Sequence, residues 1–95
     1  MKTLIELPTF VLDSELELNY ASALPSGAGH KKITVELFYK GEYKKFTAIT
    51  DNMPDYDDAT DIEDIKEKNI AFFNLISYKI QDEVFEWCCN IDEEI

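Results

Sequence analysis

Between Thr60 and Asn90 the chain runs for thirty-one residues without a proline or a glycine, and the stretch predicts one long helix. Thr60-Asp61-Ile62-Glu63 fits a capping box at its start: Thr60 accepts from the first turn, Glu63 reaches back, and the acids sit where the helix dipole favours negative charge. At about 100° per residue, Ile62, Ile65, Phe72, Phe73, Ile76, Ile80, Val84, Trp87 and Ile91 share roughly a third of the circumference, the stripe of a helix laid on a core. Asn69 is the polar member of that stripe. Such a helix would span about 45 Å, whereas a compact chain of this length has a diameter of about 32 Å. An unbroken helix therefore overhangs its own domain; the alternative is a break near Asn69, Asn74 or Ser77.

A second apolar line, Ala71, Leu75, Tyr78, Phe85 and Cys89, lies on roughly the opposite side, interrupted by Asp82. Burying a Leu or Phe side chain is worth about 1.5–3 kcal/mol, so this line calls for a cover. The N-terminal segment folded over it, a second copy in a homodimer, or a different partner protein would each serve.

The first half of the chain reads as strands. Thr3 to Leu12 is apolar, but Pro8 removes a ladder donor, which suits an edge strand, two short pieces or an arm laid across the domain. Glu15 to Ala23 alternates, with Leu16, Leu18 and Tyr20 on one side of a half-buried strand. Leu24-Pro25-Ser26-Gly27-Ala28-Gly29-His30 is a loop. Ile33–Tyr39 and Tyr43–Thr50 form a hairpin closed at Lys40-Gly41, in which paired positions sum to 81. That register sets Glu36 against Lys45 and Phe38 against Tyr43 on an outer face, and Ile33, Val35 and Leu37 against Ala48, Phe46 and Lys44 on an inner one. Residues 51–59, with Pro54 and the turn formers Asp51 and Asn52, connect to the helix, and residues 91–95 read as an acidic, frayed tail. The expected architecture is a single α+β domain: a three- to four-stranded antiparallel meander on one long C-terminal helix.

Charge divides the chain at its middle. Residues 1–50 hold six acids and six lysines; residues 51–95 hold fourteen acids against three lysines, which accounts for the whole formal charge of −11, and there is no Arg. Direct nucleic-acid binding needs a basic footprint and is not expected. No secretory leader or membrane span is read from the sequence, so the expected compartment is cytoplasmic. Adjacent Cys88 and Cys89 point about 100° apart on a helix and are read as reduced thiols.

Six carboxylates fall within ten residues: Asp55, Asp57, Asp58, Asp61, Glu63 and Asp64. A calcium loop would want a ligand and a glycine where Ala59 and Thr60 stand. A solvated helix start is one use of such a cluster; a negative surface offered to a basic partner is another, since helical carboxylates three or four positions apart, about 5–6 Å, imitate part of a phosphate row. The glycines before Lys31 and Lys32 lead into a strand, not a helix, which does not suit a phosphate loop. His30 is the one histidine and has no metal-ligand companions; with Ser26 in the same loop it lacks the orienting third group of a hydrolase.

The functional expectation is a non-enzymatic acidic protein-interaction module without metal or cofactor, of the DNA-mimic inhibitor type. Asp55, Asp57, Asp58, Asp61, Glu63, Asp64 and Glu67 would engage the basic, nucleic-acid-binding surface of a partner protein. The alternative is a small assembly subunit that dimerises or docks through Ala71, Leu75, Tyr78, Phe85 and Cys89.

Overall fold

The computed structural model describes residues 3–10, 12, 14–27, 29–50 and 58–94. Strands β1 (Thr3–Ile5), β2 (Leu16–Pro25), β3 (Lys31–Tyr39) and β4 (Glu42–Thr50) form one antiparallel sheet in chain order, and helix α1 (Ile65–Glu94) covers one of its faces. This is the α+β meander expected, with the N-terminal segment supplying the fourth strand.

Its register is fixed by the β3–β4 turn. Lys40 and Gly41 both take positive φ, 48° and 87°, as a two-residue turn matched to strand twist requires. Glu36 then pairs with Lys45, Phe38 with Tyr43 and Val35 with Phe46, the predicted register throughout. The β2–β3 connection is tied by Ser26 N–H to the His30 carbonyl (2.9 Å) and His30 N–H to the Gly27 carbonyl (2.8 Å).

β2 departs from the expected alternation. Its pairing slips between Leu18 and Tyr20, so that Leu18 opposes Leu37 while Tyr20 opposes Glu36. The extra residue, Asn19, forms a bulge that turns every later side chain to the other face. Leu16 and Leu18 point inward as predicted; Tyr20 does not, and Ala21 and Ala23 take the inner positions opposite Val35 and Ile33. The bulged Asn19 donates its amide to Glu36 Oε1 at 2.7 Å.

The core lies between the inner sheet face and one side of α1. Leu16, Leu18, Ile33, Val35, Leu37, Tyr39 and Phe46 meet Phe72, Phe73, Ile76, Ile80, Val84, Trp87, Cys88 and Ile91, all buried. Trp87 is the hinge pin of the contact, edge-on to Phe46 at 5.6 Å and tilted against Tyr39 at 6.3 Å. Helix α1 is continuous through Asn69, Asn74 and Ser77, and at thirty residues it is about 45 Å long, comparable with the 42 Å longest dimension of the molecule.

Both ends of the helix differ from expectation. Residues 58–60 are helical and this stretch ends at Asp61, and α1 starts later, where Asp64 Oδ1 accepts the N–H of Lys66 (2.9 Å) and of Glu67 (3.2 Å). Asp64 is therefore the N-cap, with Glu67 at the third helical position, and Thr60 is not. At the other end α1 runs past Asn90 to Glu94, because Ile91 is buried and Asp92 is held by the sheet, so the frayed tail is absent at those positions.

The N-terminal segment is both strand and arm. After β1 the chain leaves the sheet and lies along the flank of α1: Leu7 is buried, Thr9 Oγ1 donates to Gln81 Oε1 at 2.7 Å, and Phe10 stacks on Phe85 at 4.2 Å. Among the described residues no helix is long and apolar enough to cross a membrane.

Candidate functional site

The acidic half divides into two exposed fields. At the start of α1, Asp58, Asp61, Glu63, Asp64 and Glu67 are all exposed; Asp55 and Asp57 lie outside the described residues. Lys66 and Lys68 interrupt this field, and Asp64 is already engaged as the helix cap. Asp58 and Asp61 belong to the turn that precedes α1, not to its first turns, so the predicted single row of helical carboxylates is broken between them.

A second field lies on the exposed side of the C-terminal half of α1. Asp82, Glu83, Glu86 and Glu93 are exposed, and their spacings of three, four and seven set them on one side of the helix. They flank Lys79, whose ammonium is drawn to the Ile49 carbonyl at 2.6 Å, which places the row on the β4 side of the molecule. Four carboxylates in about 17 Å of helix compare with about five phosphates of one DNA strand over the same rise. Sequence reasoning passed over this row because the residues are spread among apolar ones, and only the orientation of α1 on the sheet shows which side is open.

One helix carboxylate is not free to meet a partner. Asp92 accepts from the Tyr39 hydroxyl at 3.0 Å and from the Lys40 ammonium at 2.5 Å, the one ion pair of α1 among the described residues. Lys40, ahead of the opposing effect of burial, holds the Asp92 carboxyl below the ordinary carboxylate value. Burial, and then the same carboxylate, raises the Tyr39 hydroxyl. Burial also pushes the Cys88 thiol up to about 12, with smaller contributions from Asp92 and Cys89. Near neutral pH Cys88 is thus a protonated core residue and a poor nucleophile.

The predicted docking face is largely used within the chain. Leu75 is buried, Phe85 is half-buried under Phe10, Ala71 and Cys89 are half-buried, and Tyr78 remains as its one large exposed side chain. A shallow cleft beside Leu75 and Tyr78 is walled by Ala59 and Ile62. A larger one, about 940 Å³, lies between the N-terminal arm and α1 among Leu7, Phe10, Ile70 and Phe73. Among the described residues its charged lining groups are Glu6 and Glu15.

Cys88 and Cys89 are both free thiols. Among the described residues no three His, Cys, Asp or Glu side chains gather as a metal-binding group. Compared with family models, curated proteins and solved structures, the chain finds no match.

Proposed function

We propose that this chain is a non-enzymatic acidic interaction module, a DNA-mimic type of inhibitor that occupies the basic nucleic-acid-binding surface of a partner protein. The observation that carries the reading is the Asp82, Glu83, Glu86 and Glu93 group: four exposed carboxylates on one side of one helix, with an average charge density along about 17 Å that approaches that of a phosphate strand. Rigidity matters here, because a row fixed by the packed face of the same helix does not lose side-chain and backbone freedom on binding to the extent a loop would. Asp58, Asp61, Glu63 and Glu67 extend the negative field beyond the row and steer encounter with a cationic surface more than they add to final affinity.

The reading is tested by capture and competition. Proteins retained on the immobilised chain are expected to be released by duplex DNA and by about 0.5 M salt, where exposed charges are screened within a few ångströms. The variant Asp82→Asn/Glu83→Gln/Glu86→Gln, which leaves the buried side of α1 untouched, is expected to retain at most a tenth as much. Capture that resists both duplex DNA and salt, or that the variant preserves, would sink the proposal.

A further inference from the structure

The N-terminal arm is tied to the rest of the chain at two places. On one side the β1–β2 ladder ends with Ile5 paired to Leu16. On the other, Thr9 Oγ1 donates to Gln81 Oε1 at 2.7 Å, and the Phe10 ring lies on that of Phe85 at 4.2 Å and 13°. Between these ties the arm and α1 border the cavity of about 940 Å³. Its apolar lining includes Leu7, Leu16 and Phe73, all buried, and Phe10, Leu12 and Ile70, half-buried. The volume is that of a small-molecule site, and walls fixed before a ligand arrives lower the ordering cost of binding.

We infer that this cavity binds a small amphipathic cation, an apolar body that carries one ammonium group. Two observations choose the sign of the charge. The charged lining residues among those described are Glu6 and Glu15, both exposed. Both adjoin the Ile5 and Leu16 pair at the same end of the ladder, so two like charges leave the sheet together, an arrangement that a cation beside them relieves. The chain as a whole carries a formal charge of −11, which gathers cations and repels an anionic head. The size of the ligand follows from the arm. A helix or strand of another protein would have to displace a segment pinned at both ends, whereas a small molecule leaves its ties in place.

Apolar contact supplies the affinity and the two carboxylates supply the selection. Because Glu6 and Glu15 are exposed, solvent and salt screen their attraction, and an uncharged body of the same shape still binds. The cavity is also separate from the acidic group on α1. The arm packs at Gln81 and Phe85, whereas Lys79 marks the side of that group at β4. The variant Asp82→Asn/Glu83→Gln/Glu86→Gln therefore leaves the ligand in place, and this inference and the proposed function fail separately.

The test is titration of the purified chain with three probes that share one alkyl chain, decylammonium, decanol and decanoate, followed through the amide resonances of Leu7, Phe10 and Ile70. Decylammonium is expected to saturate at one per chain and to bind at least about tenfold more tightly than decanoate, with decanol between them. Glu6→Gln/Glu15→Gln is expected to keep decanol binding and to cut that preference at least about threefold. Ile70→Trp fills the cavity without changing the charge and is expected to abolish binding of all three. Should it fail to fold, the Glu6 and Glu15 variant, made at exposed positions, decides. No saturation by decylammonium or decanol up to their solubility, decanoate bound as tightly as decylammonium, a preference unchanged in Glu6→Gln/Glu15→Gln, or a folded Ile70→Trp that binds as before would each overturn it.

Discussion

At its C-terminal end α1 is built into the fold: Trp87 lies between Phe46 and Tyr39, Ile91 is buried, and Asp92 is gripped by Tyr39 and Lys40. At its N-terminal end the same helix stands clear, with Ile65 75% exposed and Lys66 and Glu67 in solvent. The difference is one of length. Asp92 sits beside the β3–β4 turn and Lys79 reaches Ile49 near the far end of β4, so about 20 Å of helix already covers the strands. The turns from Ile70 to Ile76 still pack on the core, whereas the first turn of the helix, before Ile70, extends past it. The covered stretch does two things at once: its inner side holds the fold together, and its open side carries the Asp82, Glu83, Glu86 and Glu93 row.

Truncation at the two ends should separate them most widely. Trp87→Ala removes the aromatic that joins α1 to both β3 and β4 and is expected to cost about 3–5 kcal/mol, much of the 5–15 kcal/mol available to a domain of this size, roughly. Ile65→Ala, also a loss from the predicted apolar stripe, is expected to change stability by less than about 0.5 kcal/mol. Denaturant midpoints at matched m-values measure both, and equal costs would show that the overhanging end is packed after all.

The latch at the C-terminal end carries a pH signature. The Asp92 carboxyl is depressed in the folded chain by Lys40, so its contribution is complete above the ordinary value of 3.8 and is lost as pH falls through the lower folded value. The stability gap between the chain and Asp92→Asn should hold steady near neutral pH and close in acid below that point. On the alkaline side the Cys88 thiol is raised from 9.0 to about 12 and the Tyr39 hydroxyl is raised as well. The unfolded chain therefore loses protons first, and stability should decline as pH rises above about 9. An acid limb that is identical in Asp92→Asn would show that the latch adds nothing to folding.

Much of this contrast could be read before the structure, and the part that could not has physical causes. The hairpin register followed from one two-residue turn, and Phe72 to Ile91 followed from helical spacing, because both signals are local. Alternation alone puts Tyr20 on the inner face, because a bulge leaves no mark in the pattern it interrupts; the pairing of Leu18 with Leu37 and Tyr20 with Glu36 reveals it. The sequence does not distinguish the helix start, because Thr60-x-x-Glu63 and Asp64-x-x-Glu67 both fit a capping box. The crowded acids near the start of α1 are conspicuous in the sequence, while Asp82, Glu83, Glu86 and Glu93 emerge as one exposed group only from the orientation of the helix on the sheet. Phe85 looked unpartnered because its cover, Phe10, is remote in sequence and sits in a segment without periodicity.

The smallest expected effect sharpens the comparison at the free end. Asp64 both caps α1 and belongs to the acidic field, so its loss alone confuses a folding effect with a binding one. Asp64→Ala removes the acceptor for two amides and is expected to cost about 1 kcal/mol, whereas Asp64→Asn keeps an acceptor and should cost a few tenths at most, leaving only the charge changed. Asp61→Ala, one turn earlier and outside α1, should be neutral within about 0.5 kcal/mol. Amide exchange at Lys66 and Glu67 reads the cap directly: faster exchange in Asp64→Ala than in Asp64→Asn assigns the residue to the helix start. Equal exchange in the two variants would mean that its charge, acting on the helix dipole, matters more than the hydrogen bonds, and Asp64 would then rejoin Asp58, Asp61 and Glu63 as part of the surface offered to a partner.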